Sequence, residues 1–297
     1  MNILITGGSG LIGQSFIKQF NNHSFTVLTR SPDKVRAQHP ASVKIITSLD
    51  NFQNLNAYDA VINLAGEPII NKRWSEKQKK IIKQSRWKMT QDLVDLIASS
   101  NSPPKVFISG SAIGVYGNRG GEFLTESSII KKSDFPTELC MRWETLAKQA
   151  EPYTRVVVIR TGIVIAPHGG ALVKMLRPFK FCLGGRISNG KQFMSWIHFK
   201  DHINAINYLL TTNNLSGPVN LVAPAPEMNR EFSQKLANSL NRFAILPLPK
   251  SVLKLLLGES SCLLLDSQRV VPEALLKSGF KFQFPLLRSA LADALKN

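Results

Sequence analysis

Short apolar runs alternate with amphipathic stretches through the first half of the chain. Asn2–Thr6 reads as a strand, Leu11–Phe20 as a helix and Phe25–Thr29 as a second strand. A shorter strand at Val43–Thr47 and an apolar one at Ala60–Ala65 continue the series. A basic helical region and a second helical stretch to about Ser99 follow, and Pro103-Pro104 breaks the chain. Val106–Ser109 is again a strand. Ser133–Ala150 is a helix, with Ser133 or Asp134 as its cap and Pro136 in its first turn, and Arg155–Ile159 is a strand. Strands that alternate with helices predict a parallel sheet with right-handed crossovers, here a doubly wound α/β Rossmann fold.

After about Pro167 the pattern changes. Gly169-Gly170 and Gly184-Gly185 bracket a helix, Asp201–Leu210 and Met228–Leu240 are helical, and Val219–Val222 is a short strand before a Pro-rich turn. The tail from Pro247 is Leu-rich and helical. Residues 1–166 are therefore expected to form the Rossmann body, which also receives later segments. Residues 167–297 are expected to form a smaller C-terminal α/β substrate lobe.

Composition adds little to that picture. Hydrophobic residues are 43% and charged residues 19% of the 297, which is ordinary for a globular chain. No apolar run reaches the roughly 18 residues of a membrane span, so no membrane partner is expected. The N-terminus lacks the basic region of a signal peptide. Cys140, Cys182 and Cys262 are scattered, with neither metal-ligand nor disulfide spacing, which points to a cytoplasmic location and no metal. The net charge of +17 is densest over Lys72–Lys88. It fits phosphorylated ligands; without an accompanying DNA- or RNA-binding motif, nucleic acid is not expected as a main partner. Monomer and homodimer both stay open.

Candidate chemistry begins at the first strand. Gly7, Gly10 and Gly13 form G-x-x-G-x-x-G between a strand and a helix. Such glycines serve a tight turn, a close backbone approach to pyrophosphate, and helix–strand packing. The helix N-terminus offers amides and positive potential to phosphates, with Ser9, Leu11 and Ile12 supplying backbone contacts. The second strand ends at Thr29-Arg30, where NAD enzymes commonly place an acid for the ribose 2′-hydroxyl. A guanidinium there pairs instead with a 2′-phosphate, so NADP(H) is the expected cofactor; the alternative for Arg30 is a solvated strand end. Leu64 and Ala65, closing the Ala60–Ala65 run, are expected to touch the cofactor through backbone atoms.

Several blocks resemble the extended short-chain dehydrogenases/reductases and, more narrowly, their atypical epimerase-family subgroup (YfcH-like, formerly SulA-like). They include Asn63-Leu64-Ala65-Gly66-Glu67-Pro68-Ile69, Trp143-Glu144, Gly169-Gly170-Ala171-Leu172, Met194-Ser195-Trp196-Ile197-His198 and Arg269-Val270-Val271-Pro272. The resemblance spans nearly the whole chain. It implies a Rossmann fold, NADP(H) binding and a C-terminal substrate lobe, and it adds Arg86 and Val164 to the cofactor contacts.

The chain departs from the wider superfamily at the catalytic pair. Its four tyrosines, Tyr58, Tyr116, Tyr153 and Tyr208, are followed four residues later by Ile62, Gly120, Val157 and Thr212, so no Tyr-x-x-x-Lys exists. Cys140 and Glu144 are the one-turn-apart pair expected where Tyr and Lys stand in relatives, with a small buried hydrophobe as the plainer reading of Cys140. A neighbouring carboxylate raises a thiol pKa, so this pair cannot repeat the Tyr–Lys chemistry. Ser111 is the candidate oxygen-binding hydroxyl, although an ungapped register to Val115-Tyr116-Gly117 would put Ala112 in its place. Tyr116, Arg160, Gln192, Trp196 and His198 are the candidate substrate contacts. Asp201 reads as the cap of the following helix. Two functions fit: an NADP(H)-dependent oxidoreductase or epimerase acting on a small polar carbonyl, alcohol or nucleotide-sugar-like compound, and a cofactor-binding sensor with little turnover.

Overall fold

A computed structural model describes residues 1–296. In chain order the strands are β1 (Asn2–Thr6), β2 (Ser24–Leu28), β3 (Lys44–Ile46), β4 (Ala60–Asn63), β5 (Val106–Ala112), β6 (Phe123–Leu124), β7 (Arg155–Thr161), β8 (Ile163–Ile165), β9 (Phe193–Met194), β10 (Trp196–His198), β11 (Gly217–Leu221), β12 (Glu227–Met228) and β13 (Arg269–Val270). The helices are α1 (Leu11–Gln19), α2 (Pro32–Gln38), α3 (Glu76–Ala98), α4 (Phe135–Lys148), α5 (Gly170–Lys180), α6 (Phe199–Thr211), α7 (Asn229–Ser239), α8 (Lys250–Leu257), α9 (Cys262–Leu265), α10 (Glu273–Lys277) and α11 (Leu287–Ala294).

Seven strands form one parallel sheet in the order β11-β7-β5-β4-β1-β2-β3. The order reverses between β1 and β4, the switch point at which a doubly wound sheet opens its binding crevice. β4 is buried at all four positions, as a central strand covered on both faces must be. One face packs Ile3, Ile5, Val27, Ile62, Ile108, Val157 and Ile159 with Phe16, Ile206 and Leu209 from the helices. The other packs Leu4, Val61, Phe107, Val156 and Val158 against Leu93, Val94 and Ile97 of α3. The C-terminal segment returns to the body through β11 and α6, while Phe179, Trp196, Phe232, Leu236, Phe284 and Leu291 form a separate core of the later half.

Three local details differ from the sequence reading. The two helical stretches expected between Lys72 and Ser99 are one continuous helix, α3, capped by the Ser75 side chain. β5 runs on to Ala112 because its neighbour β7 extends in register, pairing Ser111 with Arg160 and Ala112 with Thr161. Asp201 is not the cap of its helix. His198 holds that place, and the Asp201 carboxylate instead accepts the backbone N–H groups of Gln283 and Phe284 at 2.7 and 2.8 Å. The start of α4 matches expectation: Asp134 and Thr137 form a capping box with Pro136 in the first turn.

Candidate functional site

The glycine loop joins β1 to α1 by a turn that only glycine makes easily. Gly7 has φ +73°, and a Cβ there would lie 2.7 Å from the Leu64 carbonyl carbon. A Cβ on Gly13 would fall 2.5 Å from the Gly7 oxygen. Gly10 is different: its nearest contact for an added Cβ is the Gly7 oxygen at 3.2 Å, so its outer face is open. Gly10 caps α1 in an extended conformation and no side chain takes the amides of the first turn. Ser9, Leu11 and Ile12 therefore line an open helix N-terminus, a cradle for an anionic group. Leu64 and Ala65 lie directly against Gly7. The Leu11 side chain meets Gly169, and Gly170 lies beside the Val164 carbonyl, which brings the Val164 strand to the same rim.

Behind this loop runs a buried polar chain. The Thr6 hydroxyl accepts the Ala65 N–H at 3.1 Å and donates to Asn63 Oδ1 at 2.7 Å; Asn63 Nδ2 donates to Thr90 Oγ1, which also accepts from the Trp143 indole. Trp143 in turn packs on Gly110 and under the Arg86 guanidinium, 5.2 Å from the ring centre. Arg86 donates to the Glu67 carbonyl and sits over Gly66, where a Cβ would be 2.8 Å from its Cζ. Thr29 is buried and its hydroxyl accepts the Ser31 N–H, leaving Arg30 exposed just past the end of β2. Sequence reasoning missed His39, whose Nε2 lies 3.4 Å from the Gly8 carbonyl. It also missed the Thr6–Asn63–Thr90–Trp143 chain. Both join residues far apart in sequence and have no local signature.

The second cluster gathers around β5, β7 and α4. Ser111, Cys140 and Glu144 do come together. Ser111 Oγ donates to Glu144 Oε1 at 2.8 Å, and Arg160 clamps the same carboxylate with Nε at 2.9 Å and Nη2 at 2.8 Å. Arg160 also donates to the Tyr116 hydroxyl at 2.9 Å, and that hydroxyl donates to Asn220 Oδ1 at 2.7 Å. Glu144 is 4% and Arg160 2% exposed, so this is a buried ion pair, supported by further hydrogen bonds from Ser111 and to Tyr116. Burial, then the Glu144 carboxylate, pushes the Cys140 thiol up to about 11 against the opposing pull of Arg86. Cys140 is thus a neutral thiol, with burial a larger cause than the carboxylate that sequence reasoning emphasised. Burial also raises the Tyr116 phenol above its ordinary value.

The expected substrate contacts do not gather into one open wall. Arg160 and Tyr116 belong to the buried network just described. Trp196 is fully enclosed, with its indole N–H on the Ala225 carbonyl at 3.0 Å. His198 is fully enclosed too; its Nε2 lies 3.2 Å from Asp293 without hydrogen-bond alignment, and burial lowers its pKa to about 4. Gln192 spends its amide on the Ile187 and Leu264 carbonyls. Each of these side chains is buried rather than facing an open wall. A recess of about 460 Å³ lies elsewhere, lined by Asn118, Lys250, Lys254, Glu259, Cys262 and Asp266. There burial and Asp134 raise the Asp266 carboxyl to about 6. No group of His, Cys, Asp and Glu with metal-binding geometry occurs among the described residues.

A family model described as "NAD dependent epimerase/dehydratase family" matches residues 3–222. The chain belongs to that family. A second model, a domain of unknown function (DUF1731), matches residues 248–294, the helical tail. Among curated family members, the chain is 37% identical over 299 residues to "Epimerase family protein MW0731" of Staphylococcus aureus, covering 99% of this chain and 98% of that one. It is 36% identical over 298 residues to the mouse epimerase family protein SDR39U1, covering 99% of this chain and 100% of the relative. The crystal structure of human epimerase family protein SDR39U1 (isoform 2) with NADPH superposes with a TM-score of 0.92 at 33% identity, covering all of both chains. A UDP-glucose 4-epimerase from Thermus thermophilus, at 16% identity and a TM-score of 0.77, shares the fold. The family membership, the Rossmann-type sheet and the resemblance read from the sequence blocks therefore agree.

Proposed function

We propose that this family member binds NADP(H) and acts as an oxidoreductase or epimerase on a small polar carbonyl or alcohol, or on a nucleotide-sugar-like compound. The observation that carries the reading is the glycine loop: an uncapped helix N-terminus, an open face at Gly10, and Arg30 exposed at the end of β2. The NADPH in the human relative's crystal structure supports it. Gly7, Ser9, Gly10, Leu11, Ile12 and Gly13 would hold the pyrophosphate, Arg30 with Thr29 the 2′-phosphate, and Leu64, Ala65, Arg86 and Val164 the rest of the dinucleotide. When bound, the nicotinamide supplies or accepts a hydride.

The chain's own residues handle the reacting oxygen. Ser111 gives its only proton to Glu144, so its lone pairs are left to accept a hydrogen bond from a substrate hydroxyl. Arg160 fixes the carboxylate that holds this orientation. Cys140 takes part only as a neutral thiol. The test is NADPH oxidation across a panel of carbonyl compounds and NADP⁺ reduction across the matching alcohols. Turnover of at least one class supports the reading. Tight cofactor binding without turnover of any would favour the sensor function instead. That second reading draws on one observation: the chain has no Tyr-x-x-x-Lys, and the pair expected in its place, Cys140 and Glu144, is a neutral thiol and a carboxylate already committed to Arg160.

A further inference from the structure

The later half of the chain carries a face that the dinucleotide reading does not use. Residues 170–191 contain five Lys or Arg and no Asp or Glu; residues 241–258 contain three and again no acid. The two segments are joined in space. The Leu248 N–H donates to the Arg186 carbonyl and the Ser188 N–H to the Leu248 carbonyl, each at 2.9 Å. Gly185 sits so close to Leu246 that an added Cβ would fall 2.0 Å from its carbonyl oxygen.

On these joined segments large apolar side chains stand in solvent. Phe181 is 76%, Phe243 70%, Ile245 71% and Leu255 76% exposed. Helix α8 shows how the face is built. Leu253 anchors it in the protein, while Val252, Leu255 and Leu256 point outward in the same turns as Lys250 and Lys254. Large apolar side chains left exposed on adjoining segments mark a contact.

The charge decides which contact. Two copies meeting through this face would set its eight Lys and Arg against the same eight, a charge that Glu259 and Asp266 beside Lys250 and Lys254 offset only in part, and like charges opposed across an interface repel. A nucleic acid would satisfy the charge but leave Ile245, Leu255 and Leu256 facing hydrated phosphates. An anionic bilayer satisfies both parts: apolar tips enter the boundary between headgroups and acyl chains, and Lys and Arg meet the lipid phosphates. We propose that this face docks the protein peripherally on an anionic lipid surface. No helix among the described residues is long and apolar enough to cross a membrane, so the attachment is interfacial. It revises the expectation of no membrane partner, which rested on the lack of a spanning segment. It is also independent of cofactor binding.

The experiment is co-sedimentation of the full chain with vesicles of phosphatidylcholine alone and of phosphatidylcholine mixed with phosphatidylserine. Wild type is compared with Phe243→Ser/Ile245→Ser/Leu255→Ser and with Lys250→Glu/Lys254→Glu, each checked for an unchanged melting profile. Wild type should pellet with the mixed vesicles, not with phosphatidylcholine alone, and should be released by salt. Each basic residue lost changes partitioning about fivefold, so the charge variant should bind at least about twentyfold more weakly. The apolar variant should also lose binding. Absence of pelleting with anionic vesicles, or equal partitioning of all three proteins, overturns the proposal. So does self-association, or binding to a DNA duplex, that the same apolar substitutions abolish.

Discussion

Glu144→Gln keeps the volume of the side chain and removes its charge, which makes it a direct probe of the buried network. In the wild type the carboxylate takes three hydrogen bonds, two from Arg160 and one from Ser111, all between 2.8 and 2.9 Å. A glutamine amide presents one oxygen and one NH₂, and the NH₂ cannot accept from either donor. Arg160, 2% exposed, then keeps its full charge without a counter-charge. Removing one partner of a buried pair costs about 3–5 kcal/mol. In a chain of this size that is about 5–8 °C in Tm. Urea denaturation of Glu144→Gln measures the effect, and Glu144→Met, Arg160→Met and the double variant Glu144→Met/Arg160→Met close the cycle. Replacing both partners with apolar residues should recover most of the loss, since well-packed apolar replacements of buried ion pairs are often neutral or better. A loss below about 1 kcal/mol for Glu144→Gln, or a double variant as unstable as the sum of the singles, would refute the claim that Glu144 and Arg160 depend on one another.

Gly13→Ala should destabilise the body by about 1–3 kcal/mol and abolish NADPH-induced thermal stabilisation, because its Cβ would fall 2.5 Å from the Gly7 oxygen; a normal melt with the full ligand shift would count against the loop geometry. Burial holds His202 neutral with a pKa of about 3 and His198 at about 4, whereas the unfolded chain binds these protons near 6.5. Stability should therefore fall as pH drops below about 6.5, over a window reaching about 4 for His198 and about 3 for His202. Asp266, raised to about 6, acts with the opposite sign between that value and its ordinary 3.8, so the informative quantity is the difference between wild type and His202→Gln. The variant should have a flatter stability–pH profile below 6.5, and parallel curves would contradict the assignment. Ser111→Ala should slow NADP⁺ reduction by an alcohol substrate about a hundredfold at unchanged cofactor affinity, while Cys140→Ser should leave it within about threefold. A collapse in rate for Cys140→Ser would make the thiol catalytic.

The sheet was legible because its signals are local. Apolar runs alternate with amphipathic ones, and Gly7, Gly10 and Gly13 mark the first turn; Pro136, with Ser133 or Asp134 as the cap, marks the start of α4. The gathering of Ser111, Cys140 and Glu144 was legible in part. Cys140 and Glu144 lie one turn apart on a helix, but Ser111 reaches them only through the β5–β7 register. Arg160 was read as a substrate contact because it is one of the polar residues that follow the strands, a region that clamps substrate in related folds; the partners the structure gives it, Glu144 and Tyr116, lie 16 and 44 residues away. Trp196 and His198 belong to a distinctive block, yet their surroundings come from Ala225, Phe284 and Asp293. Long-range packing of this kind leaves no trace in periodicity. The basic segments of the later half went unremarked beside Lys72–Lys88, and their exposed Phe and Leu tips left no signal, since a Leu-rich helix reads the same whether its outer face is covered or bare.

The central claim is that the glycine loop and Arg30 together hold NADP(H). Calorimetric titration of NADPH and NADH into wild type and Arg30→Ala tests it most directly. NADPH should bind wild type more tightly than NADH. Arg30→Ala should remove that preference by weakening NADPH alone, with a loss of about 1.5–3 kcal/mol for one charge-assisted contact. Equal affinity of wild type for the two cofactors, or an Arg30→Ala variant that keeps the full preference for NADPH, would contradict the account.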